Sequence, residues 1–163
     1  METVYLDFET TGLGKEAEIL EATIIDDAGK PVINTLVKPQ RHVRWIEAQR
    51  VHGISPLDVR NAPKLNEIKN EILNAVRNKR LVIFNSAYDL QYLPEMEEVA
   101  SEVRCCMKEM AKHVKTSNGR ISLSNSVKII GYEWEGTAHR ALADCLSTRA
   151  VWHYVQDNKT NIT

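Results

Sequence analysis

Asp7 and Glu9 stand two residues apart in the run Val4, Tyr5, Leu6, Asp7, Phe8, Glu9. On an extended strand that spacing turns both carboxylates to one face, roughly 6–7 Å apart along the chain, and leaves Val4, Leu6 and Phe8 to the other. So apolar a strand belongs in the middle of a sheet, where two carboxylates repel each other and lose hydration. A divalent cation between them removes both penalties; the plainer alternative is a strand end that emerges into water. Asp89 follows the apolar run at 81–84 after a short turn. Open α/β sheets hold ligands at such a place, although an Asp there also suits a helix N-cap. His139 and Asp144 are five apart, which on one helix sets them about 140° from each other. They share a site if His139 lies in the first turn or in the loop before it; otherwise Asp144 is a surface neighbour of the apolar stripe Leu142, Cys145, Leu146, Ala150 and Trp152. All four acids are hard oxygen donors, suited to Mg²⁺ or Mn²⁺ rather than zinc. An imidazole is a general base near neutral pH.

These residues need a scaffold, and the patterning supplies one. Residues 4–8, 19–26 and 32–37 read as strands, the last two joined by the turn Asp27, Ala28, Gly29, Lys30. Three strands so tightly joined form an antiparallel meander. A short helix is expected over 45–51, ended by His52, Gly53, Ile54, Ser55 and Pro56. Leu65, Ile68, Ile72 and Val76 mark one face of a helix over 65–76. Residues 81–84 and 104–107 read as further strands, the second leading into a short helix to Lys112. Helices are also expected over 90–99, 123–130 and 139–154, the last capped by Thr137. Residues 115–120 are polar and turn-rich, hence a loop. The order predicts an α/β fold: a mixed five-stranded sheet, meander plus two parallel strands, with helices on both faces. One domain is expected over 1–157, with a frayed tail at 158–163.

Three short motifs now fall into order: Asp7 to Leu13, Phe84 to Asp89, and His139, Arg140, Ala141, Leu142, Ala143, Asp144. The last has the form HxAxxD. With His52, Gly53 and Ile54 before Ala62 and Pro63, the chain resembles the DEDDh exonucleases, the DnaQ-like group of the RNase H-like superfamily. The resemblance spans residues 4 to about 152. Leu93 to Met96, Cys106 to Lys108 and His139 to Leu142 are similar to the exonuclease X branch. Family members commonly carry His-Asn before the second motif's Asp; here Phe84 precedes Asn85, which bears on local geometry rather than on the five chemical residues.

The resemblance implies 3′→5′ hydrolysis of phosphodiesters to 5′-mononucleotides with two Mg²⁺ or Mn²⁺ ions. It implies Asp7 on both ions, Glu9 and Asp144 on the one beside the attacking water, Asp89 on the other, and His139 as general base. Thr10, Thr11 and Leu13 would contact the terminal nucleotide, with His52 and Asn85 as further candidates. Lys112, Lys115 and Arg120 could track the phosphate backbone. The expected partner is nucleic acid with a free 3′ end, DNA favoured over RNA. The rivals are an RNA-trimming exoribonuclease, RNase T-like or oligoribonuclease-like, a domain that binds nucleic acid or a partner without cutting, and a subunit of a larger assembly.

Composition agrees with a globular domain: 163 residues, 43% hydrophobic and 26% charged. No apolar run approaches the roughly 20 residues that span a bilayer, and Met1 to Thr3 opens no signal sequence. The three cysteines suggest neither a zinc site nor a disulfide framework; reduced, mostly buried thiols and a cytoplasmic setting are expected. The net charge of −1 argues against a non-specific nucleic-acid coat. It hides an uneven spread, with six basic residues and one acid between Arg104 and Lys128.

Overall fold

The computed structural model describes residues 1–159. Five strands form one mixed sheet: β1 (Thr3–Thr10), β2 (Ile19–Asp26), β3 (Pro31–Leu36), β4 (Arg80–Ile83) and β5 (Glu102–Cys105). Their order is β3-β2-β1-β4-β5, so the carboxylate strand is central, as its apolar character requires. β1 and β3 pair antiparallel with β2, whereas β4 runs parallel to both β1 and β5. This is the expected meander plus parallel pair.

Strand alternation divides the interior in two. Val4, Leu6 and Phe8 face one core, which Ile68, Ile72, Ala75 and Val76 of α2 (Leu65–Val76) and Met96 of α4 (Glu95–Val99) complete. Tyr5 faces the other, built with α5 (Cys106–His113), α6 (Leu123–Ile130) and α7 (Ala141–Lys159). Asp7 and Glu9 share the parity of Tyr5, so they point to the α7 side. Cys106 and Cys145 are buried there and Cys105 half-buried, all three as free thiols. A third cluster seats Trp45 at the head of α1 (Ile46–His52) against Leu20, Ile54 and Val59. Trp45 and Trp152 are thus core residues.

Five expectations need correction. Of the helix expected over 90–99 only α4 forms, because Pro94 has no N–H to continue a helix and instead sits at the head of this one; a separate short turn of helix, α3 (Ser86–Asp89), precedes the expected span. The last helix begins at Ala141, not His139. Thr137 is not seen to cap it through its side chain; its carbonyl accepts from the Arg140 N–H at 3.2 Å. The buried set of α7 is also broader than one stripe, including Ala143, Ser147, Thr148 and Val155, while Leu142 and Leu146 are half-buried. The helix lies across β1 and β2 and is flanked by α5 and α6, so more than one face is covered. Residues 158 and 159, placed by sequence in a tail, end this helix; 160–163 lie outside the described residues.

Candidate active site

β1 carries Asp7 and Glu9 to the sheet face under the first turn of α7, and Asp144 points back from that turn. One ligand oxygen from each of these three residues lies within 4.8 Å of the others. Asp89 comes from the end of α3, just beyond β4. It is 4% exposed, and its Oδ1 accepts the Phe8 backbone N–H at 3.1 Å. The carboxylate therefore pins the second motif to β1 rather than capping a helix, and it stands beside Asp7.

Among the described residues no ion pair reaches Asp7, Glu9, Asp89 or Asp144, and the electrostatics follow. Burial pushes Asp7 well above the usual carboxylate range, and the charges of Asp89, Glu9 and Asp144 push it further. Burial, then the charges of Asp144 and Glu21, raises Glu9 to about 9. Burial raises Asp89 to about 8, against the opposing pull of the Phe8 N–H. Asp144 reaches about 6, again through burial, tempered by the His139 N–H. Four desolvated, mutually repelling carboxylates with converging oxygens make a set that divalent cations fit.

His139 lies just before α7 with φ 61°, in the left-handed region that a non-glycine residue adopts at some cost. Its backbone N–H donates to Asp144 Oδ1 at 3.1 Å. This bond holds the turn that separates the two side chains, so the five-residue spacing does not set them on opposite faces of one helix. The residue is exposed, and its ring forms no hydrogen bond among the described residues.

Glu21 is the residue that motif reading overlooked. It sits opposite Glu9 in the β1–β2 register and is 5% exposed. Like charges facing each other across strands are unfavourable, yet Glu21 has partners of its own. Arg140 Nε donates to both its oxygens at 3.2 Å, Arg140 Nη2 to Oε2 at 2.5 Å, and the Ala141 N–H to Oε1 at 2.7 Å. The carboxylate thereby ties the segment bearing His139 to the sheet. Its sequence signal was weak: one acid in an otherwise apolar and β-branched strand. Glu21→Ala would strand the buried Ala141 N–H and free Arg140, at a cost of about 1–3 kcal/mol; Glu21→Gln, which keeps an acceptor, should lose less in urea unfolding.

A cavity of about 650 Å³ opens beside Glu9, lined by Thr10 to Leu13, Trp45, Val51, His52 and Tyr88 among others. That volume suits one nucleotide-sized ligand. Leu13 is 87% exposed at its lip. The two threonine hydroxyls are already engaged: Thr10 Oγ1 with the Gly12 carbonyl at 2.7 Å and Tyr88 Oη at 2.5 Å, Thr11 Oγ1 with the Glu18 N–H at 2.9 Å. His52 is buried, and burial holds its imidazole below the ordinary range. Its Nδ1 accepts the Ile54 N–H at 3.0 Å, so Nε2 donates to the Thr10 carbonyl at 3.0 Å. Thr10, Thr11 and His52 thus shape the cavity wall through its backbone. Asn85 sits at the N-cap of α3 and does not line the cavity. Lys112, Lys115 and Arg120 are exposed on α5 and the following loop, and none lines it either.

The family model for an exonuclease, RNase_T, matches residues 4–151. The chain belongs to the RNase_T exonuclease family. Its relatives are DnaQ-like. Exonuclease CP81 of Escherichia phage 186 is 32% identical, over 91% of this chain and 84% of that protein. The DNA polymerase III subunit epsilon of Rickettsia typhi is 29% identical over 55% of this chain, which spans only 42% of that subunit. Among solved structures, exonuclease X in complex with 5′ overhanging duplex DNA shares 24% identity at TM-score 0.76, covering 99% of this chain and 94% of that one. Escherichia coli exonuclease I in complex with a dA16 oligonucleotide shares 16% at TM-score 0.80, covering 98% and 42%. These neighbours share the fold of this chain. An RNase_T family member of this architecture is a nuclease that acts on nucleic acid, and the family implies divalent metal ions. Among the described residues, no helix is long and apolar enough to cross a membrane.

Proposed function

We propose that this protein is a DEDDh-type 3′→5′ exonuclease that shortens DNA and releases 5′-mononucleotides, using two Mg²⁺ or Mn²⁺ ions. The observation that carries the reading is the convergence of Asp7, Glu9 and Asp144 within 4.8 Å, with buried Asp89 behind them and His139 at the rim. Asp7, Glu9, Asp89 and Asp144 would hold the ions. When bound, the ions neutralise charge at phosphorus and make water a competent nucleophile near neutral pH. His139 takes a proton from the attacking water, and its open position at the rim leaves the ring accessible. Leu13 and the Thr10–Thr11 backbone receive the last nucleotide in the cavity. Lys112, Lys115 and Arg120 steer the chain's longer substrates electrostatically from outside it.

DNA is favoured through the exonuclease X resemblance and through the polymerase subunits among the relatives. The RNA reading draws on RNA exonuclease 4 of Mycosarcoma maydis, 25% identical over 90% of this chain. A cytoplasmic setting fits the three free thiols. The test is digestion of 3′- and 5′-labelled DNA and RNA of one sequence, with and without Mg²⁺. Mononucleotides released from the 3′ end of DNA, only with metal, are expected. Faster loss of RNA would move the substrate to the exoribonuclease reading. No release from any 3′ end would leave a non-cutting binding domain.

A further inference from the structure

The loop between β1 and β2 carries Leu13 to the lip of the cavity. Its neck is closed: the Thr11 N–H donates to the Glu18 carbonyl and the Glu18 N–H to Thr11 Oγ1, both at 2.9 Å. Beyond the neck, residues 13–16 are all exposed, so no core contact fixes the tip. Gly12 and Gly14 flank Leu13, and neither has the positive φ or the close neighbour that would require a glycine. Packing and backbone sterics therefore leave the tip free to move, and ordering it on a ligand would cost entropy.

What holds the tip is a pair of phenols from the segment that follows β4. Tyr88 Oη and Thr10 Oγ1 lie 2.5 Å apart, and 2.9 and 2.7 Å from the Gly12 carbonyl oxygen. Each hydroxyl has a single proton, so one donates to the carbonyl and the other to its neighbour. Tyr92 Oη donates to the Gly14 carbonyl at 3.2 Å, which also accepts the Ala17 N–H at 3.0 Å. The tyrosine rings meet edge-on, with centroids 5.3 Å apart. Leu13 is thus gripped through the carbonyls on either side of it. Tyr88 immediately precedes Asp89 in α3, so the same short turn delivers a carboxylate to the metal cluster and a phenol to the loop.

We propose that Tyr88 and Tyr92 are positioning residues whose hydroxyls set the loop at residues 12–14 in the shape that receives the terminal nucleotide, before that nucleotide arrives. They act through the loop, because the Tyr88 hydroxyl is turned to Thr10 and Gly12 and that of Tyr92 to Gly14. A loop ordered in advance strengthens binding of substrate and transition state alike, so its loss raises KM and leaves kcat. The inference rests on the exonuclease reading for what enters the cavity, and it adds two residues that the hydrolytic chemistry does not use.

The test is steady-state release from a 3′-labelled single-stranded oligonucleotide in Mg²⁺ by the unaltered protein, Tyr92→Phe and Tyr88→Phe/Tyr92→Phe. Phenylalanine keeps the ring pair, and Tyr92 is only half-buried, so the single variant does not depend on its hydroxyl to fold. KM should rise about threefold in the single variant and about tenfold in the double, with kcat within about twofold. Gly14→Ala stiffens the loop by another route, since its Cβ would meet nothing within 4 Å. Added to the double variant, it should recover about twofold or more of the lost KM. An unchanged KM, a fall in kcat alone, or no recovery with Gly14→Ala would overturn the assignment. If the unaltered protein releases no mononucleotide, the hydrolytic reading fails, and anisotropy of the same oligonucleotide in Ca²⁺ decides the loop by itself. Weaker binding by the double variant, restored by Gly14→Ala, supports the positioning role; equal binding by all variants removes it.

Discussion

Asp7→Asn should abolish mononucleotide release, by about 10⁴-fold or more, and at the same time make the metal-free protein more stable at pH 8. The first half follows from position: Asp7 is the carboxylate that meets all the others, opposite Thr23 on the central strand. Losing it removes the shared anchor for the ions, and their charge stabilisation accounts for most of such a reaction's acceleration. The second half follows from desolvation and repulsion, which asparagine relieves at nearly constant volume. A gain of about 1 kcal/mol, or some 3 °C in a domain of this size, is expected.

The pH dependence of the metal-free protein has a definite sign. Folding raises Asp7, Glu9, Asp89 and Asp144 above their ordinary values, so the folded chain binds more protons than the unfolded one. Their contribution is complete below about pH 4 and is lost as pH rises to about 9, the value reached by Glu9. Glu18 acts in the opposite sense, held at about 2 by His42 and three backbone N–H groups against its own burial, so its stabilisation is complete above about pH 5. Thermal melts between pH 5 and 9 should therefore fall with pH without metal and flatten with Mn²⁺. A melting temperature that rises across that range, or does not respond to Mn²⁺, would remove the basis for the site.

His139→Asn is the second large effect: a loss of about 10²–10⁴ in kcat, the range of a general base. Asparagine is the informative replacement because it tolerates the left-handed backbone at φ 61°, whereas alanine adds strain of about 1–2 kcal/mol. The backbone N–H that donates to Asp144 is retained. The melting temperature and its increase with Mn²⁺ should therefore match the unaltered protein. If Mn²⁺ no longer stabilises the variant, the imidazole is supporting the metal site rather than moving a proton.

The chain's own residue order determined most of the scaffold. Alternation in β1 decided which side chains enter which core, and its apolar character made it central. The periodicity of Ile68, Ile72 and Val76 gave α2, because the same face is both the helical repeat and the buried one. The spacing of Asp7 and Glu9 put both carboxylates on one face, since strand geometry leaves no choice. What only the tertiary structure decided lies in contacts between distant segments. Glu21 and Arg140 are 119 residues apart, Phe8 and Asp89 81, and His52 and Thr10 42. No local pattern encodes such pairs, because each depends on where the sheet register and the helix ends finally fall. The left-handed turn at His139 belongs with them. An isolated chain would avoid it, and the bonds of Asp144 and Glu21 to the segment 139–141 hold it in place.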